Sequence, residues 1–149
     1  MSRDKRERQQ PASSITARAG LCLLTIGCGL GLRKFGPGLG LPFAFVKYGG
    51  SILWGTMVFF LVAIAGPGLA RRKLATIAAA IAVCVEMFRL VHSPSLDAFR
   101  LTTAGALLLG RVFSPWNLLA YGVGIALGGL LDRSCGSSRA FLFRPHDVR

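Results

Sequence analysis

At 149 residues the chain is the size of one domain. Apolar residues make up 52% of it and charged residues 16%, with a mean hydropathy of +0.54. A water-soluble fold of this length has too little interior to hide that much apolar surface, so composition points to the membrane. The formal net charge of +12 invites a nucleic-acid reading. That reading fails on distribution. The basic residues fall in small groups at the ends of apolar runs: Arg3, Lys5, Arg6 and Arg8; Arg33 and Lys34; Arg71, Arg72 and Lys73; Arg133 and Arg139. Topology signals and headgroup contacts sit at such places, whereas a nucleic-acid surface gathers its charge into one stripe, so no nucleic-acid partner is expected.

Taken in chain order, residues 1–16 read as a flexible, basic tail. A first, short span follows over 17–32. It lacks a convincing small-x-small cleavage site and more apolar runs come after it, so it reads as an uncleaved anchor. Arg33-Lys34-Phe35-Gly36-Pro37-Gly38 closes it, and 39–48, rich in Gly, Pro and aromatics, is expected to be an interfacial loop. A second span covers 48–69, long enough to cross a bilayer core, and ends at Gly66-Pro67-Gly68. The third runs over 74–91 and the fourth over 116–131, where Asp132-Arg133 marks its end; 133–149 is a polar tail. The predicted fold is an all-α, polytopic membrane bundle of about four transmembrane helices spanning 17–132.

Residues 96–110 are too short an apolar run to read as a span and fit a re-entrant or interfacial helix better. Charge arbitrates. With four spans and the N-terminus inside, twelve basic residues lie on the inner side and six on the outer; if 96–110 also crosses, the count is nine on each. The positive-inside rule favours four spans, both termini cytoplasmic, in a bacterial inner membrane.

The third span carries Glu86, with Arg89 three residues on and His92 three after that. Glu86 lies thirteen residues past Lys73, roughly 20 Å along a helix, which places it in the outer third of a core about 30 Å thick. A carboxylate there is expensive to leave facing lipid, and Arg89 at i+3 is positioned to pair with it. Asp97 and Arg100 have the same spacing, and Thr102 and Thr103 follow. Asn117 and Tyr121 share a face at the start of the fourth span, where Ser114-Pro115-Trp116-Asn117 looks like a helix start with Asn117 as its cap. All of these fall on the outer side, so Glu86, Arg89, Arg100, Thr103, Asn117 and Tyr121 form a candidate polar pocket. Ala120, Gly124 and Gly128 on the fourth span, and Gly27 and Gly31 on the first, form small-xxx-small ridges suited to close helix approach within one chain or between copies in a homo-oligomer.

Catalytic and metal signals are weak. His92 has no metal-ligand spacing to Glu86 or Asp97, no nucleophile elbow surrounds Ser93 or Ser95, and there is no phosphate loop. Cys22, Cys28 and Cys84 lie in apolar runs, Cys135 in the tail, and no C-x-x-C occurs, so all four read as reduced thiols. No metal and no cofactor is expected.

The stretches "GLRKFGPGL", "FVKYGGSILWGTMVFF", "VEMFRL" and "SLDAFRLTTAGALLLGRVFSPWNLLAYGVGIALGGLLD" resemble an uncharacterised family of small bacterial multi-pass membrane proteins, a domain of unknown function. The likeness covers about 21–132. Arg89 stands where that family usually has Gln, and Asn117 where it often has Asp. A fainter similarity is to VanZ-like proteins, linked to glycopeptide resistance, in which Glu-x-x-Gln ends a span and an Arg and a polar residue follow. That resemblance implies a cell-envelope role and no particular reaction.

Three functions remain open. The first is a non-enzymatic protein whose pocket holds the polar head of an anionic or lipid-linked amphiphile, with Arg100 on the head and Glu86 orienting it. The second is an envelope enzyme using Glu86 as general acid or base on a lipid-linked substrate. The third is a structural or transport subunit whose polar residues only lock helices together. Membrane lipids are partners in each.

Overall fold

In the computed structural model, residues 3–102, 105 and 113–142 are described, with side chains described within 15–134. Five helices account for most of these residues: α1 (Arg3–Phe35), α2 (Phe43–Ala65), α3 (Arg71–Phe88), α4 (Pro94–Leu101) and α5 (Pro115–Leu142). Two stretches, Ile15–Phe35 of α1 and Phe43–Ala65 of α2, are long and apolar enough to cross a membrane. The architecture is all-helical among the described residues.

Helix ends follow local chemistry. Pro42 precedes α2 with φ −56°, and Phe43 begins the helix at once, so the aromatic stretch expected as loop up to Tyr48 is instead the first turns of α2. The helix stops at Ala65 rather than at Leu69, because Gly66 leaves helical geometry and Pro67 follows it. Pro94 occupies the first turn of α4, and Ser93 caps it, its hydroxyl accepting from the Leu96 N–H at 3.4 Å. The outer helices run beyond their apolar runs, α1 beginning at Arg3 and α5 reaching Leu142.

Contacts at the helix ends fix the order of the bundle. Arg18 of α1, Ala63 of α2, Arg71 of α3 and Asp132 of α5 meet at one end. Glu86 of α3 and Ser114, just before α5, meet at the other. α1, α2, α3 and α5 therefore alternate in direction. The chain leaves α3 and enters α5 at the same end, with α4 beside that exit: Arg100 binds the carbonyls of Phe88 and Val91.

α2 is the hub, packed against α1, α3 and α5. It approaches α5 closely enough to demand glycine. A Cβ at Gly124 would collide with the backbone of Ile52, and one at Gly55 with the backbone of Tyr121. The gap is so narrow that Thr56 Oγ1 donates across it to Gly124 O at 2.8 Å. Gly128 seats the Phe59 ring. The ridge on α1 behaves differently: a Cβ at Gly27 or Gly31 would meet nothing within 4 Å. The glycine ridge of α5 thus builds this chain's own core, and that of α1 takes no part in it.

On α3 the buried positions are Leu74, Ala78, Ala82 and Glu86, one every four residues. The small alanines bring α3 near α2 and α5, and the next step of the same stripe is Glu86. The apolar core is Cys22 of α1, Val58, Phe59, Phe60 and Ala63 of α2, Leu74, Ala78 and Ala82 of α3, and Tyr121 and Ile125 of α5. Many large apolar side chains point outward, among them Leu23 and Leu24 on α1, Leu61 on α2, Ile77 and Val83 on α3, and Leu119 and Leu130 on α5. So extensive an apolar exterior suits a lipid surround.

Candidate functional site

Glu86 is fully buried, its exposure 0%. Its Oε1 accepts two hydrogen bonds from the start of α5, from the Ser114 N–H at 2.7 Å and from Asn117 Nδ2 at 3.3 Å. Its Oε2 lies 2.8 Å from Arg89 Nη1, a buried ion pair between residues three apart. Arg89 Nη2 donates to Tyr121 Oη at 2.9 Å. Ser51 Oγ of α2 lies 3.4 Å from Asn117 Oδ1 and also bonds the Lys47 carbonyl. The Trp54 ring packs on Tyr121 with centroids 4.7 Å apart. A single carboxylate thus ties α3 to α5, and Asn117 and Tyr121 extend the connection to α2.

The geometry has two electrostatic consequences. The free N–H groups at the head of α5 form the positive end of its dipole, and Glu86 caps them from a neighbouring helix. Asn117, expected as the cap, instead spends its amide on Glu86. At the tail of α3 the roles reverse. Arg100 Nη2 donates to Phe88 O at 2.7 Å, and Nη1 donates to Val91 O at 2.8 Å and to Asp97 Oδ1 at 3.0 Å. A guanidinium thereby closes the negative end of α3.

Of the six residues singled out in the sequence, Glu86, Arg89, Asn117 and Tyr121 form one connected cluster. Arg100 is buried beside it, and its guanidinium binds the end of α3 and Asp97. Thr103 lies outside the described residues. Thr102 bonds back to the Phe99 carbonyl, as expected of a threonine at a helix end. His92 is exposed, its ring nitrogen 3.0 Å from the Leu90 carbonyl, and no group of three metal-ligand side chains occurs among the described residues. Ser51 and Trp54, which sequence reading passed over, complete the cluster. Their only sequence signal was position, on the face of α2 that also carries Gly55.

Below Tyr121 lies an open, apolar crevice of about 80 Å³ between α3 and α5, lined by Ala79, Ala82, Val83, Leu118, Gly122 and Ile125. Tyr121 belongs to both places: its ring borders the crevice and its hydroxyl joins the polar cluster.

A second buried carboxylate occupies the opposite end. Asp132, read from the sequence only as a boundary marker, accepts from Arg18 Nε at 2.7 Å and Arg18 Nη2 at 3.2 Å, and from Arg71 Nε at 3.3 Å. Arg18 Nη1 also donates to Ala63 O at 2.8 Å, closing the tail of α2. No short-range pattern could reveal a pair 114 residues apart. The one hint was that Arg18 and Asp132 sit just within apolar runs at ends predicted to share a side.

A family model described as a protein of unknown function (DUF2809) matches residues 41–125, more than half of the chain. The chain belongs to that family. The DUF2809 match contains the whole Glu86 cluster and the crevice, and ends before Asp132. No solved structure matches the chain.

Proposed function

We propose that this DUF2809 protein is a four-span membrane protein that binds an amphiphile, with the polar head at the Glu86 cluster and the chain in the α3–α5 crevice. The observation that carries this reading is Tyr121, where a polar network and an apolar groove meet in one side chain. The head is a neutral, hydroxyl-bearing group such as a lipid-linked sugar. Glu86 and Arg89 pair with each other and Arg100 binds the Phe88 and Val91 carbonyls, so the buried cluster balances its own charge and suits a neutral head.

Alternating helix directions, and the return of the chain to the Glu86 end before α5, favour four crossings over five. The basic residues gathered near Arg18, Arg71 and Asp132 favour a cytoplasmic placement for that end in a bacterial inner membrane. The Glu86 cluster then faces outward, on the side of an envelope role.

Native mass spectrometry of the protein released gently from its own membrane tests the binding. A co-purifying hydroxylated lipid, lost in Glu86→Gln and in Ala79→Phe at the exposed lining of the crevice, is the expected result. An empty and fully folded wild type would leave the cluster as a lock between helices and overturn the proposal.

A further inference from the structure

We infer that the Asp132 end holds an anionic phospholipid, its phosphodiester bound by the basic side chains around Arg71. Three carboxylates are found among the described side chains, Glu86, Asp97 and Asp132, and only Asp132 lies at this end. Five cations accompany it. Arg18 and Arg71 contact it directly, and Arg72, Lys73 and Arg133 adjoin them in the chain and are exposed. Asp132 neutralises one charge, so the end carries a large positive excess.

Nothing on α3 offsets that excess, since its first turn contains no acidic residue. Arg71 is anchored by Nε to Asp132 while 51% of its side chain stays exposed, which presents a pre-oriented guanidinium at the surface. Exposed apolar residues flank the charges: Leu69 in the connection from α2 to α3, Ile77 one to two turns into α3, and Leu130 and Leu131 beside Asp132. A free phosphate would use only the cations. A phospholipid uses both, with its phosphate on the basic side chains and its acyl chains along the leucines.

The test offers the full chain, in neutral detergent, equal amounts of phosphatidylglycerol and phosphatidylcholine and counts bound lipid by native mass spectrometry. The wild type is expected to favour phosphatidylglycerol about tenfold. R72Q/K73Q/R133Q leaves both arginine contacts to Asp132 intact and changes exposed residues only, so it is expected to fold and to lose the preference. R33Q/K34Q, at the other end of α1, is expected to keep it. The inference is overturned by a wild type without preference, by a triple variant that retains it, or by R33Q/K34Q losing it equally. Complete displacement of the lipid by inorganic phosphate would also overturn it, because the site would then be one for small anions.

Discussion

The two ends of the bundle each bury one carboxylate, and they treat it in opposite ways. Glu86 meets one guanidinium, from its own helix, and two neutral donors from the head of α5. Asp132 meets two guanidinium groups, from α1 and α3, with more cations next to them. At the first end the buried carboxylate is matched by one buried guanidinium, whereas the second is cation-rich and partly open. Charge balance in a buried site favours a neutral, hydroxylated head, whereas charge excess at an open end favours an anion. The same device, an acid at the end of an apolar stripe, therefore sits in two different electrostatic settings.

The contrast can be broken by removing each carboxylate. Glu86→Ala strands Arg89 in the interior and leaves the Ser114 N–H without its acceptor, and should lower stability by about 3–5 kcal/mol, read as unfolding in detergent. If it proves harmless, the Glu86 end is not the buried site described. Arg100→Ala should follow at about 2–3 kcal/mol, since the Phe88 and Val91 carbonyls at the tail of α3 lose a charged donor. Asp132→Asn should cost about 1–2 kcal/mol, less than Glu86→Ala because Arg18 keeps its bond to the Ala63 carbonyl and Arg71 retains access to solvent. Arg71→Gln should cost under about 1 kcal/mol, and added salt should shrink that further, because half of the side chain is exposed. A salt-insensitive loss at Arg71 would make the two ends alike.

Much of this was legible before any coordinates. Helical class and the apolar runs came from composition, and the pairs Glu86–Arg89 and Asp97–Arg100 from i, i+3 spacing, because within one helix sequence distance is spatial distance. Asn117 and Tyr121 were read on one face for the same reason. What stayed hidden depends on how helices meet. Arg100 closes α3 only because the chain turns at residues 89–93. Asp132 finds Arg18 across the whole bundle. Gly124 admits Ile52 and Thr56, while Gly27, with the same pattern around it, admits nothing. A glycine ridge announces that close approach is possible and is silent about which helix will approach.

The burial of Glu86 was the most informative single feature, and the structure supplies its cause: the α3 stripe Leu74–Ala78–Ala82 reaches the core at every fourth residue and Glu86 is the next position. The match to DUF2809 covers this end of the molecule and not Asp132. Amphiphile binding is accordingly the function to test first at the Glu86 end.

The decisive measurement is photolabelling in native membranes with a lipid carrying a photoreactive group in its acyl chain, followed by mapping of the labelled peptides. Labelling concentrated on Ala79–Val83 and Leu118–Ile125, and suppressed by Ala79→Phe, is the predicted result. Label spread evenly over the exposed leucines of α1, or unchanged by Ala79→Phe, would contradict an amphiphile site beneath Tyr121.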